Sequence, residues 1–173
     1  MDGITGPAPT FGETGVTPGP VTLDTAHPYH AALQHIRSRV LARTAQGGHR
    51  IAAVAHRVVH GGAKYADPVR VNASVLEDLR GYIPLAPLHQ PFALEAIGAL
   101  LQHLPDLPQV ACFDTAFHHT LPDVEKMLPL SWDAWERGLR RYGFHGLSYE
   151  FMSLALAERH GDAARGRTIV AHL

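Results

Sequence analysis

Residues 51–62 read IAAVAHRVVHGG. Apolar and β-branched side chains run to Val59 before His60 and two glycines end the stretch. Such a run is how a strand buried on both faces reads, and it predicts one from about Ile51 to Val59. Arg57 interrupts the run. An unpaired charge inside a buried strand would cost several kcal/mol or more. Arg57 therefore requires a carboxylate, such as Asp114 in a structural ion pair, or an anionic ligand. His56 and His60 stand four apart, as in a helical zinc motif, but that motif needs a helix and a glutamate where Arg57 stands. On a strand four residues span about 13 Å, too far to share one metal. Gly61-Gly62 permits either close backbone approach or a plain turn.

Moving outward, elements alternate. Upstream, AHPYHAALQHIRSRVLARTA reads as a helix capped by Asp24 or Thr25 and stopped by Gly47. Leu33, Ile36, Val40 and Leu41 share one of its faces. Downstream, VNASVLEDLRGY reads as a short helix with Ser74 and Glu77 as a capping box. Pro84 and Pro87 break the chain, and Pro91 can open PFALEAIGALLQHL. QVACF is a second buried strand, ending at Asp114. Helices are expected from near Ser131 and after Ser148, the latter stopped by Gly161, and TIVAHL reads as a last strand. The alternation predicts an α/β architecture with at least part of the sheet parallel. Ligands of such sheets bind beyond the carboxyl ends of the strands. Arg57 with His60, Asp114 with His118, and His172 stand at those ends.

Bulk numbers narrow the classes. The chain has 173 residues, a hydrophobic fraction of 46% and a formal net charge of −1. A nucleic-acid binder would carry a clustered basic excess, and the longest cluster here is Arg140-Arg141. Cys112 is the one cysteine and reads as a buried, inert thiol in a reducing cytosol. No apolar stretch approaches membrane-spanning length. The first 22 residues, rich in Gly, Pro and Thr, read as disordered and lack the features of a secretory signal. No Walker loop, dinucleotide fingerprint, GxSxG elbow or protein-kinase set is present.

Three further blocks carry chemistry. IPLAPLHQP makes a rigid loop with His89 at its tip, either a solvated histidine or a site residue. In FDTAFHHTLP, Asp114 closes a strand, where an acid binds metal, orients an arginine, acts as a base or caps a turn. RRYGFHG concentrates two arginines, a tyrosine and a histidine between glycines, suiting an oxyanion or phosphate, or forming a turn before the next helix.

In their order, AHRVVHGG, PLAPLHQP, FDTAFHHTLP and GLRRYGFHG resemble the acetate kinase family, over about Ile51 to Leu173. The resemblance implies the actin-like, sugar-kinase-like (ribonuclease H-like) fold, in which two α/β domains close on a nucleotide. It implies reversible transfer of the γ-phosphoryl of ATP to acetate with Mg²⁺, giving acetyl phosphate and ADP, in the cytoplasm. Propionate and butyrate kinases are close relatives of the family.

Residue by residue, the resemblance makes Arg57 the arginine that holds acetate or acetyl phosphate. Val59, Leu88 and Phe144 are then walls of the pocket for the acetate methyl, and His89 a histidine near the phosphoryl path. Asp114 matches the catalytic acid and His145 the residue stabilising the transferring phosphoryl. His172 and Leu173 look like the opening of a nucleotide-phosphate loop. Acetate is already ionised near neutral pH, since a carboxylic acid has a pKa of roughly 4. It needs no general base, so Asp114 is expected to orient Arg57 or organise metal and water.

The chain also departs from the family. The Ser-rich turn with its Mg²⁺-linked Asn finds no match in MDGITGPAPTFGETG, and Leu147-Ser148-Tyr149 replaces the usual Thr-Ser-His. No metal ligand is expected in this chain. The expected organisation is a disordered segment over 1–22, the remainder of the substrate domain over 23–120, and the start of a nucleotide domain over 121–173. The chain is thus expected to be a piece of a longer, typically homodimeric enzyme and not to turn over alone. A non-catalytic remnant, or half of a split enzyme that binds small carboxylates or phosphates, is the alternative.

Overall fold

A computed structural model describes residues 1–172. They form two compact units, Met1–Ala52 and Ala53–Leu173.

In the first unit, β1 (Thr10–Phe11) pairs antiparallel with β2 (Gly19–Pro20), and Asp2 bridges to Thr10. The segment expected to be disordered thus carries a short ladder. Glu13 adds order: its carboxylate accepts hydrogen bonds from Arg39 at 2.7 Å and Arg43 at 2.6 Å. Both arginines lie on α1 (Pro28–Gln46). The expected cap fails, because Asp24 accepts from the amide of Ala26 in a local turn, and His27 takes the N-cap position. Pro28 opens the helix instead, where its missing N–H costs nothing. Gly47 closes it as expected. The expected apolar face does not become a core: Leu33, Ile36, Val40 and Leu41 are exposed, and Ala32 is the buried residue of the helix.

The second unit is built on a sheet of order β3-β5-β4. β3 is Val54–Val58, β4 is Val69–Arg70 and β5 is Gln109–Phe113. β3 and β5 run parallel with Val54 opposite Gln109 and Val58 opposite Phe113, and β4 runs antiparallel to β5. β3 is shorter than the apolar run and sits at the sheet edge. Its residues alternate, with Ala55 and Arg57 exposed and Val58 buried, so it is covered on one face only.

Between β4 and β5 come α2 (Ala73–Gly81), a 3₁₀ turn (Ile83–Leu85) and α3 (Gln90–His103). Asn72 caps α2 by accepting from the amide of Val75, displacing the Ser74–Glu77 capping box expected from sequence. Pro91 stands in the first turn of α3 as expected. Leu76 and Leu79 from α2, Leu94 and Ile97 from α3, and Val58, Ala111 and Phe113 from the sheet form the core. Each fully buried side chain of this kind contributes about 1.5–3 kcal/mol, which is what fixes both helices on the sheet.

After β5 come a 3₁₀ turn (Phe117–Thr120), α4 (Asp123–Lys126), α5 (Trp132–Glu136) and α6 (Gly146–His160), ended by Gly161. The expected last strand, TIVAHL, does not form among the described residues. Residues 168–172 pair with no strand, and Ile169 is 97% exposed. A strand needs a neighbour to satisfy its backbone, and propensity alone does not supply one. Leu173 lies outside the described residues.

Candidate active site

The carboxyl ends of β3 and β5 lie side by side, because the strands are parallel and in register. Arg57 projects from β3, and Asp114 follows β5 directly. The two side chains meet: Arg57 Nε donates to Asp114 Oδ1 at 3.0 Å and Oδ2 at 3.1 Å, and Nη2 donates to Oδ2 at 2.7 Å. Burial is unequal, with the Asp114 side chain 2% exposed and that of Arg57 64% exposed. The buried charge is thus the carboxylate. The hydrogen bonds to Asp114 outweigh a smaller effect of burial and raise the arginine pKa above its already high value. The guanidinium stays cationic, and Nη1 takes no part in the pair.

A cavity of about 740 Å³ opens at this pair. Arg57, Asp114, Val59, Leu88, His89, Phe144 and His145 all line it. These are the residues that the four sequence blocks singled out, brought together from separate elements. Leu85, Ala86, Pro87, Phe92 and Ala93 extend its apolar wall. His89 stands at the N-cap of α3.

His145 is placed by unusual backbone. It precedes α6 in the left-handed region, with φ 57° and ψ 25°, the one non-glycine residue with positive φ among the described residues. Next to it, the amide of Gly146 donates to the carbonyl of Asp114 at 2.7 Å. A Cβ on Gly146 would stand 2.5 Å from that oxygen. Only glycine allows this approach, which ties the start of α6 to the end of β5. The His145 ring lies edge-on to that of His172 with centroids 4.1 Å apart, and His172 Nδ1 is 3.2 Å from the Ser148 hydroxyl. His172 therefore touches His145 without being part of a strand, but it does not line the cavity.

A buried clamp behind the cavity holds its walls. Gln90 accepts from the His60 amide at 3.1 Å and donates to the His60 carbonyl at 3.0 Å. The buried His60 ring accepts from the Gly62 amide through Nδ1 and meets Tyr142 and Phe144 edge-on. Burial pushes the His60 pKa below its ordinary value, favouring the neutral ring this bond requires. His118 reaches the same segment from the other side, with Nε2 donating to the Phe144 carbonyl. Sequence reading missed Gln90, because a glutamine beside a proline has no pattern that marks a two-way backbone clamp.

A cationic guanidinium held rigid at the mouth of an apolar cavity can receive a small carboxylate whose alkyl end turns to the wall. Two imidazoles lie within the same site. This is a part of the actin-like α/β fold of acetate and propionate kinases. The structure overlays on a propionate kinase from Francisella tularensis with a TM-score of 0.72 and 31% identity, over 87% of this chain and 38% of that one. For an acetate kinase from Porphyromonas gingivalis the TM-score is 0.57 and the identity 42%, over 62% of this chain and 27% of that one. Residues 16–173 match the Acetokinase family, and the chain belongs to that family. An acetate kinase from Rhodopseudomonas palustris is 55% identical over 126 residues, 72% of this chain and 32% of the relative. The chain thus spans about a third of the length of the curated relatives it matches. No helix among the described residues is long and apolar enough to cross a membrane.

Proposed function

We propose that this chain supplies the acid-binding part of an acetate kinase site, for reversible phosphoryl transfer between ATP and acetate. The observation that carries the reading is the Arg57–Asp114 pair at the mouth of a cavity walled by Val59, Leu88 and Phe144. Arg57 binds the carboxylate of acetate, or the acyl phosphate of the reverse reaction, through the donors that Asp114 leaves available. The methyl group packs against the apolar wall. Acetate arrives as the anion, so no proton need be removed, and Asp114 acts by aiming Arg57. In this reading His145 and His89 donate to phosphoryl oxygens and His172, beside His145, faces the nucleotide.

Residues 23–120 belong in this reading to the substrate domain and 121–173 to the start of the nucleotide domain. Leu173, the second expected nucleotide contact, lies outside the described residues. ATP and Mg²⁺ are the expected co-substrate and cofactor. The described residues do not fit Mg²⁺ by themselves. Asp114 is the carboxylate lining the cavity, Arg57 engages both its oxygens, and no group of three or more His, Cys, Asp and Glu stands together among the described residues. Mg²⁺ prefers free oxygen ligands in octahedral array. This chain alone is therefore expected to bind acid without turning it over. The reading places the protein in the cytoplasm, in a homodimer or beside a complementing second half. It includes no nucleic-acid or membrane partner.

Propionate is the second reading. A cavity of about 740 Å³ exceeds what acetate fills, and one extra methylene changes binding by only about 1–3 kcal/mol. An equilibrium titration with sodium acetate at constant ionic strength tests the proposal. Saturable binding should weaken about tenfold or more in Arg57→Gln. Equal binding by the variant would overturn the assignment, and hydroxamate formation by the chain alone would overturn the expected lack of turnover.

A further inference from the structure

The RRYGFH segment has a second cavity, of about 180 Å³, apart from the acid-binding one. Lys126, Arg140, Arg141, His118 and His119 contribute to its lining, and no carboxylate does. The charge balance of the whole chain is near neutral, so this one-signed cavity is a local feature. Its cations are also poorly neutralised. The Lys126 side chain is only 21% exposed, yet its nearest carboxylate, on the exposed Asp123, stands 3.8 Å away. Arg140 lies over the face of Trp135 at 4.6 Å and donates to the carbonyl of Gly138, leaving it without a carboxylate partner among the described residues. The backbone holds the cluster together, since the Arg141 amide donates to the Lys126 carbonyl at 2.7 Å. Three like charges gathered this way repel one another unless a counter-charge enters.

We propose that this cavity is an anion site for a phosphate group, whether inorganic phosphate or a small phosphate ester. The volume suits a group of that size. Two arginines and a lysine match its charge, and Thr115 adds a hydroxyl whose oxygen accepts from Gly61 while its proton remains to donate. The site is wired to the acid-binding cavity. Thr115 adjoins Asp114, Gly143 precedes Phe144, and His118 packs on Gly143 while donating to the Phe144 carbonyl. An anion drawn in by Arg140 and Arg141 therefore bears on the segment that carries Phe144 and His145.

The test is an amide-resolved NMR titration of the chain with inorganic phosphate, against chloride at matched ionic strength. The expected result is saturable shifts at Lys126, Arg141 and Gly143 that persist in Arg57→Gln. Affinity at these amides should fall about tenfold or more in Lys126→Gln/Arg140→Gln. Arg141→Gln, at an exposed position, provides the same comparison if the double variant does not fold. Shifts that match those in chloride, or that vanish in Arg57→Gln, would overturn the proposal. Loss in Arg57→Gln assigns the phosphate to the acid-binding cavity, whereas failure of acetate to bind leaves the second site standing.

Discussion

Arg57 of β3 grips both carboxylate oxygens of Asp114, the first residue beyond β5, with its shortest bond at 2.7 Å. The pair crosses between parallel strands whose ends lie level, and it joins an exposed cation to a buried anion. Removing either partner therefore has unequal effects. Arg57→Ala leaves the Asp114 carboxylate buried without its donor and should cost about 1–3 kcal/mol of unfolding free energy. The exposed guanidinium keeps the coulombic share of that small. Asp114→Asn removes the buried charge and should cost less. Urea denaturation of both variants checks this order, and the reverse order would show that Asp114 is satisfied elsewhere.

Stability should depend on pH through His60. Its folded pKa lies below the ordinary value of 6.5 because burial disfavours the cation. The unfolded chain then binds more protons between the two values, so stability is complete above about 6.5 and falls as pH drops through the folded pKa. His56 shifts the same way, with burial outweighing its bond to Gln109. Protonating His60 Nδ1 would also break its bond from the Gly62 amide. Thermal denaturation from about pH 8 to about pH 5, a window that brackets the ordinary histidine pKa, should show a shallower decline in His60→Gln. An unchanged slope would exclude His60 as the titrating group.

Gly146→Ala should damage both fold and site. The new Cβ would press on the Asp114 carbonyl at 2.5 Å and on the Phe117 side chain at 2.9 Å. Overpacking of this kind costs about 1–3 kcal/mol. The amide of Gly146 would lose its short bond to Asp114, and the backbone resonances of residues 114–117 should move. Wild-type stability and spectra would contradict the close approach.

His145 sits in left-handed backbone that costs an ordinary L-residue about 1–2 kcal/mol. His145→Gly should therefore be more stable than His145→Ala by about 1 kcal/mol. Both variants lack the imidazole, so the comparison isolates the backbone. Equal stabilities would mean that residue 145 leaves the left-handed region when the ring is lost.

Much of this was legible in local pattern. QVACF, the helix opened by Pro91 and the stop at Gly161 form as read, because core periodicity and end signals agree there. Arg57 and Asp114 stood out as charged residues within or at the end of apolar runs, whereas Val59, Leu88 and Phe144 were expected only through the family resemblance. What failed depends on partners that sequence does not display. TIVAHL has strand composition but pairs with no strand, and the apolar face of α1 stays exposed. The cap at Asn72 prevailed over Ser74 because Asn72 has the extended backbone that points its oxygen at the Val75 amide. The Gln90 clamp and the cavity behind RRYGFH arise from tertiary placement alone.

Whether Arg57 holds a small carboxylate with its alkyl end on the wall of the cavity can be read from intermolecular NOEs of ¹³C-methyl acetate. The acetate methyl should give NOEs to Val59, Leu88 and Phe144, all lost in Arg57→Gln. NOEs to other side chains, or the same NOEs surviving in Arg57→Gln, would contradict it.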